Sequence, residues 1–191
     1  MNESKENIIK ASLSLFMRNS YASVSMKDIL DRAGLSRGAF YHYFESKEAC
    51  FEECVKYHLA QVTHPEIVDY AEMSLEMFLK ENIRRMSNLM DMVSFPDKLL
   101  FFSEAIKIIP DFAVYMKRRN EKELADWTKI IKGAIKKGEI TDRIPADEMA
   151  ALFIAQCDGI LVTRGIVLDK DVHNYAEVEK QWGNLYLLIK K

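Results

Sequence analysis

Residues 25–47 read SMKDILDRAGLSRGAFYHYFESK, and this stretch decides the fold of the chain. Ser25, followed three residues later by Asp28, forms the pattern of a capping box, in which each side chain satisfies a backbone N–H of the other residue. Gly34 ends the short helix that follows, because glycine readily adopts the left-handed conformation at a helix C-terminus. Ser36 then caps a second short helix. Two capped helices joined by a glycine-containing turn indicate a helix-turn-helix.

The residues before this stretch predict a supporting helix. Ile8, Ala11, Leu15 and Phe16 recur at the spacing of one apolar helical face within residues 4–19. We therefore expect a three-helix head over residues 1–47. This segment carries a net charge of +2, whereas the remainder carries −4. A mildly basic head on an acidic body is consistent with a DNA contact that is confined to the head.

The helix after Ser36 has the pattern of a recognition helix. Phe40 and Phe44 are spaced to face the core, which leaves Arg37 and its neighbours exposed at the N-terminal end that enters a major groove. An arginine there can pair with guanine O6 and N7, and a small residue such as Gly38 lets the backbone approach the DNA. The alternative for each side chain is ordinary solvated surface. The predicted DNA-binding residues are Ser25, Lys27, Ser36, Arg37, Gly38, Ala39, Tyr41, His42 and Lys47.

The same stretch resembles the DNA-binding domain of the TetR family of bacterial transcriptional regulators. The positions that carry the resemblance are Ser25, Asp28, Ile29, Ala33, Gly34, Leu35, Ser36, Gly38, Tyr41, Tyr43, Phe44, Lys47 and Glu48. Leu30, Ala39 and Tyr43 stand where alanine, a small hydroxyl residue and histidine are frequent in the family. The resemblance implies a homodimeric repressor whose C-terminal domain binds an effector, with the helix after Lys47 linking the two domains.

Residues 48–191 are expected to form a larger helical domain, so that the whole chain is all-α. The 191 residues are 49% hydrophobic and contain only seven glycines and four prolines. No apolar run reaches the roughly 18 residues of a membrane span. The charged N-terminus and three cysteines without framework spacing predict a cytoplasmic protein with reduced thiols.

Cys50, Cys54 and His58 recur at four-residue spacing on the predicted fourth helix. Thiolates and imidazole are good zinc ligands, so a metal or redox stripe is one interpretation. The metal interpretation needs a fourth ligand, which would have to be His64 or a residue of a partner chain, and no CxxC pair supports it. The alternative is a row of small, half-buried residues beside the apolar face. No cofactor is predicted.

Methionines and aromatic residues are concentrated in the middle third of the chain. They suit either an ordinary core or an adaptable pocket for an apolar ligand. The segments correspond to those in which the family has its pocket, and we therefore predict a small, largely hydrophobic effector there. The predicted contact residues are Met86, Met90, Phe101, Phe102, Tyr115, Trp127 and Cys157.

The two last predicted helices, residues 147–167 and 174–190, indicate a dimer. From Met149 to Thr163 the only charge is Asp158, and a helix that is apolar on all sides needs partners on all sides. Two such helices per subunit predict a four-helix interface around a two-fold axis. The alternative is that they form the core of a monomer.

The sequence therefore predicts a dimeric repressor that an effector releases from a palindromic, double-stranded DNA operator. An enzyme is not expected, since no Gly-rich phosphate loop, HExxH or GxSxG motif occurs. The alternative function is a helical carrier or sensor of hydrophobic ligands that acts without DNA.

Overall fold

The computed structural model describes residues 3–62, 73–90, 95–167 and 175–191, without the side chains of residues 62, 88–90, 95, 96 and 164–167. All regular structure in these residues is helical, apart from one isolated β-bridge between Ile140 and Lys190. The helices are α1 (Glu3–Phe16), α2 (Met26–Ala33), α3 (Arg37–Tyr41), α4 (Lys47–Val62), α5 (Leu75–Met90), α6 (Phe95–Ile108), α7 (Phe112–Lys136), α8 (Ala146–Val167) and α9 (Tyr175–Ile189). The all-α prediction is confirmed.

The chain divides into two compact units. The head unit is Met1–Thr63 with Val93–Ala113, and the body unit is His64–Met92 with Val114–Lys191. The head unit thus contains α1–α4 and α6, and the body unit contains α5, α8, α9 and nearly all of α7. The domain boundary predicted at residue 47 concerns the limit of the DNA-binding domain and stays a prediction.

Aromatic rings hold the head unit together. The ring of Phe51 on α4 lies edge-on to the rings of Phe16 and Tyr21, at centroid distances of 5.0 Å each, and to Phe101 of α6 at 5.2 Å. Such edge-to-face pairs are favourable beyond the area they bury. One side chain of α4 therefore joins α1, the segment that follows it, and α6.

The predicted caps of the helix-turn-helix are confirmed. The Asp28 N–H donates to the Ser25 hydroxyl at 3.2 Å, and the Ser25 N–H donates to the Asp28 carboxylate at 2.8 Å. Hydrogen bonds from the Ser25 hydroxyl and N–H lower the pKa of the Asp28 carboxyl below its ordinary value. Gly34 adopts a φ of 66°, and the Ser36 hydroxyl accepts from the Ala39 N–H at 3.3 Å. Local chemistry thus fixes both ends of the turn.

Trp127 of α7 is the centre of the body unit. Its ring contacts Phe78 of α5 at 4.8 Å, Trp182 of α9 at 5.2 Å and Phe153 of α8 at 5.7 Å, all measured between centroids. The Trp182 indole N–H donates to the Phe153 carbonyl at 2.9 Å. Four helices therefore meet at one aromatic cluster.

Glu139 ties three further segments of the body unit together. It follows Gly138, which ends the turn after α7 with a φ of 75°. Its carboxylate accepts from the N–H groups of Leu75 at 3.0 Å and Glu76 at 3.2 Å, which are free donors at the start of α5. It also accepts from the Tyr186 hydroxyl of α9 at 3.1 Å. Burial and this bond raise the pKa of Tyr186 to about 12.

The apolar spacing also predicts a helix over residues 66–94, a break at Phe95-Pro96-Asp97 and an inward-facing Tyr115. α5 and α6 are separate helices, but α6 already begins at Phe95; proline is tolerated in a first turn, where its missing N–H would have no helical partner. The helix predicted over residues 66–94 is described only as α5, and residues 66–72 and 91–94 lie outside the described residues. Tyr115 was expected to face inward, but 39% of it is exposed.

The helices that the structure describes include none with both the length and the apolar character to cross a bilayer.

Gly34→Ala should lower the free energy of unfolding, since a residue with a Cβ is strained at the observed positive φ by about 1–2 kcal/mol. Gly38→Ala is the matched control: both glycines have open space where a Cβ would lie, but Gly38 has no such φ. Urea denaturation of the two variants measures the difference. Equal stability would contradict the role assigned to the Gly34 turn.

Candidate DNA-binding surface

Two buried phenylalanines anchor α3, as predicted. Phe40 is fully buried and Phe44 nearly so, with their ring centroids 5.3 Å apart. α3 itself ends at Tyr41, so Phe44 follows the helix rather than belonging to its last turn. The helix is only five residues long, and its orientation therefore depends on these two side chains and on the Ser36 cap.

The opposite side of α3 is open to solvent. Arg37, Gly38, Tyr41 and His42 are exposed, whereas Ala39 is half-buried. The Arg37 guanidinium carbon lies 5.7 Å from the Tyr41 ring centroid, within the range of a cation–π contact. The remaining predicted DNA contacts in α2 and the turns, Ser25, Lys27 and Ser36, are also exposed. The structure thus places eight of the nine predicted residues on or beside the α2–α3 surface.

Gly38 has space for a side chain. Among the described residues, nothing lies within 4 Å of the position that a Cβ would occupy there, as is also true of Gly133, Gly159 and Gly183. Within a helix, glycine is less stable than alanine by roughly 0.5–1 kcal/mol. The exposed backbone at Gly38 leaves room for the predicted close approach of DNA, and that contact stays a prediction.

Lys47, the ninth predicted residue, has partners within the head unit. Its ammonium group donates to the carbonyl of Tyr21 and to the carbonyl of Val24, each at 2.8 Å. The same nitrogen lies 3.9 Å from the centroid of the Tyr21 ring. Lys47 therefore connects the start of α4 to the segment between α1 and α2, a role that was not predicted. A phosphate contact by the third donor of this ammonium stays a prediction.

Glu104 of α6 holds the same segment from its other side. Its two carboxylate oxygens both accept from the Tyr21 N–H, at 2.9 Å each. The sequence offered no signal for this contact, because Tyr21 and Glu104 are 83 residues apart and a glutamate on an amphipathic helix reads as surface. Lys47 of α4 and Glu104 of α6 thus bind the backbone carbonyl and the backbone N–H of Tyr21, four residues before the cap of α2 at Ser25.

The thiols of Cys50 and Cys54 are directed to partners in α1. Their sulfurs lie 3.5 Å from the Ser12 hydroxyl and from the Ile9 carbonyl, respectively. The His58 ring lies against Phe102, with 5.7 Å between centroids. Within the described residues, no group of three or more His, Cys, Asp or Glu side chains is arranged to hold a metal. Cys50 and Cys54 are fully buried and only His58 is half-buried, so the expectation of a half-buried row is wrong for the two cysteines, which are core residues packed against α1.

The predicted effector residues fall in both units. Phe101 and Phe102 belong to the head unit, whereas Met86, Tyr115, Trp127 and Cys157 belong to the body unit. The Met90 side chain lies outside the described residues. In the body unit Trp127 and Cys157 are buried, Met86 is half-buried and Tyr115 is exposed. Effector contact by this set stays a prediction.

Capped helices α2 and α3, with a buried anchor and an exposed reading face, define a helix-turn-helix protein. Residues 8–54 match the model of the bacterial regulatory proteins of the tetR family. The head therefore carries the DNA-binding domain of the tetR family of bacterial regulatory proteins, as the sequence predicted. Members of this family are transcription factors rather than enzymes.

Known proteins resemble the chain mainly in the head. The uncharacterized HTH-type transcriptional regulator YerO of Bacillus subtilis is 42% identical over 59 residues, which are 31% of this chain and 20% of YerO. The chain thus spans about a fifth of the length of the first relative it matches. The uncharacterized HTH-type regulator YfiR of the same organism is 24% identical over 181 residues, covering 91% of this chain and 86% of YfiR.

The fold extends over the whole chain. The crystal structure of the regulatory protein TetR from Rhodobacter sphaeroides superposes with a TM-score of 0.72 and 19% identity. The superposition covers 94% of this chain and 97% of that one. This likeness establishes the fold of the body as well as that of the head.

Lys47→Met should destabilise the head unit, because the carbonyls of Tyr21 and Val24 lose a charged donor, and such hydrogen bonds contribute about 1.5–3 kcal/mol. Lys27→Met is the matched control, since Lys27 is exposed and also carries one positive charge near the reading face. Chemical denaturation of both variants separates the structural role of Lys47 from a loss of charge. If the two variants unfold at the same denaturant concentration, the assigned role is wrong.

Proposed function

We propose that the chain is a sequence-specific DNA-binding repressor that acts as a homodimer and is released from its operator by a small molecule. The observation that carries this proposal is the exposed face of α3, held by two buried phenylalanines and a serine cap. This short helix presents an exposed arginine that can bind a base edge, a glycine that lets the backbone approach the DNA, and an exposed tyrosine. Such residues suit a helix that enters a major groove.

The proposed roles on DNA follow from the chemistry of each side chain. Arg37 reads a guanine through O6 and N7, and Gly38 allows the backbone of α3 to lie close to the bases. Tyr41, His42, Lys27 and the two cap serines contact phosphates, which position the head without specifying sequence. Because phosphate contacts release counterions, affinity should fall steeply as salt is raised.

The proposal of a dimer rests on the exposed side of α8. Its exposed residues recur at the spacing of one helical face, and most are small or apolar: Glu148, Ala151, Leu152, Ala155, Asp158, Gly159, Val162 and Thr163. α9 adds the exposed side chains of Leu187 and Leu188. An apolar face of this extent is typical of a surface that a partner covers. The partner proposed is a second copy, which would use the same face by two-fold symmetry.

The proposed effector acts by preferring one of two arrangements of the dimer. Two recognition helices reach successive major grooves only when their centres are about 34–36 Å apart. A ligand that binds the body better in another arrangement lowers operator affinity, typically by about 1–3 kcal/mol.

DNA selected from a random pool by the full chain should contain an inverted repeat with half-sites about one helical turn apart. Gly38→Ala should bind the selected DNA roughly tenfold more weakly or worse, since a displaced α3 loses a base contact worth about 1–3 kcal/mol. A gel-shift titration measures both. Unfolding of the same variant provides the control, because Gly38→Ala should leave stability unchanged or raised. Selection of no common sequence, or full affinity in the variant, would refute the proposal.

Leu152→Glu should convert the dimer to a monomer, because it places a charge on the proposed α8 interface, where Leu152 is 49% exposed in the single chain. Met77→Glu is the control, since Met77 on α5 is 60% exposed in the same unit. Sedimentation velocity reports the assembly state, and a gel shift reports the loss of operator binding. A dimeric Leu152→Glu variant would exclude this face as the interface.

A further inference from the structure

Polar side chains lie one to two helical turns from the aromatic cluster of the body unit. On α7, Glu123 and Arg119 lie one and two turns before Trp127. On α8, Gln156 and Cys157 lie one turn after Phe153, whose ring stacks on Trp127 at 5.7 Å between centroids. The sequence pattern singled out Trp127 and Cys157 but not the polar residues near them, because Arg119 and Glu123 at four-residue spacing are typical of a surface ion pair.

The layer contains polar atoms that find no partner in the described part of the chain. The indole N–H of Trp127, the Nε of Arg119 and the Oε1 of Gln156 are all buried, and none has a hydrogen-bond partner among the described residues. Trp127 is 2% exposed, so its N–H does not donate a hydrogen bond to bulk water. A buried group left unsatisfied destabilises the protein, and such groups in a native structure call for an explanation. Trp182, in the same cluster, has its N–H satisfied.

The charges around these atoms indicate what would satisfy them. Arg119 lies 3.5 Å from the Glu123 carboxylate and also faces Asp158, at the solvent-exposed edge of the layer. Burial raises the pKa of Glu123 and of Asp158, and Arg119 opposes both shifts. Arg85 and, most weakly, Asp126 also act on Glu123. Acidic groups here outnumber arginines, which disfavours an anionic ligand. The two unsatisfied donors, one on an arginine, disfavour a cation.

We propose that Arg119, Trp127 and Gln156 bind the polar group of a neutral effector that carries a carbonyl oxygen beside an N–H donor, as in a carboxamide. The carbonyl accepts from the Arg119 Nε–H and the Trp127 indole N–H, and the ligand's N–H donates to Gln156. The inference rests on the proposed response to an effector. It adds a neutral polar group, which matches this layer, to the largely apolar ligand expected from the sequence.

Four probes with the same ring test the proposal on the full chain without DNA: benzamide, toluene, benzoate and benzylamine. Each probe's affinity is measured by calorimetric titration and by the rise in melting temperature. Benzamide should bind roughly three- to tenfold more tightly than each of the others, the factor expected from one net hydrogen bond. Equal binding of benzamide and toluene, preference for a charged probe, or binding of none would overturn the proposal.

Trp127→Phe and Trp182→Phe are a matched pair, since each removes one indole N–H from the same cluster. Trp127→Phe should abolish the preference for benzamide over toluene and destabilise the ligand-free chain less than Trp182→Phe, because only Trp182 loses a satisfied bond. Retention of the preference in Trp127→Phe would overturn the proposal. Gel shifts of the unliganded proteins separate DNA binding from the ligand preference of the body unit. Absence of DNA binding by the wild type would refute the regulator function and leave the probe ratios unchanged.

Discussion

The peptide segment at Tyr21 is the point on which the geometry of the head depends. Its N–H donates to Glu104 of α6, its carbonyl accepts from Lys47 of α4, and its ring contacts Phe16 and Phe51. The capping box of α2 begins four residues later, at Ser25. Phe40, Phe44 and the Ser36 cap orient α3 within the head, and because α3 follows α2 after a tight turn, the direction of its exposed face also depends on how this segment holds the start of α2. A displacement of the Tyr21 segment would therefore move all the proposed DNA contacts together.

Lys47 has a structural role within the head and a proposed role as a phosphate contact. A lysine ammonium has three donors, and two of them are used on the carbonyls of Tyr21 and Val24. The phosphate contact of its third donor stays a prediction. Loss of DNA binding on removing Lys47 would therefore not by itself identify a phosphate contact, whereas the comparison with Lys27 separates the two effects.

The sequence was sufficient where structure is determined locally. The Ser25 and Ser36 caps, the positive φ of Gly34 and the buried faces of Phe40 and Phe44 depend on residues within one or two turns, and all were predicted. The contacts of Glu104 with Tyr21 and of Glu139 with the start of α5 join residues more than sixty positions apart. A glutamate with such a partner looks in sequence like any surface glutamate, so periodicity could not reveal it.

The contrast between local patterns and long-range contacts also applies to the effector site. Hydrophobic patterning predicted four aromatic residues in the effector set, of which only Trp127 belongs to the aromatic cluster of the body unit. Phe101 and Phe102 lie in the head unit, and Tyr115 is exposed. What patterning could not show is which buried polar atoms the core leaves unsatisfied, because that depends on the packing of α7 against α8. Aromatic contacts alone do not explain a buried indole N–H without a partner among the described residues, one turn after the half-buried ion pair of Arg119 and Glu123. The energetic disadvantage of that layer in the free chain is what a ligand of matching chemistry would remove, and it gives such a ligand a differential affinity through which binding changes the protein.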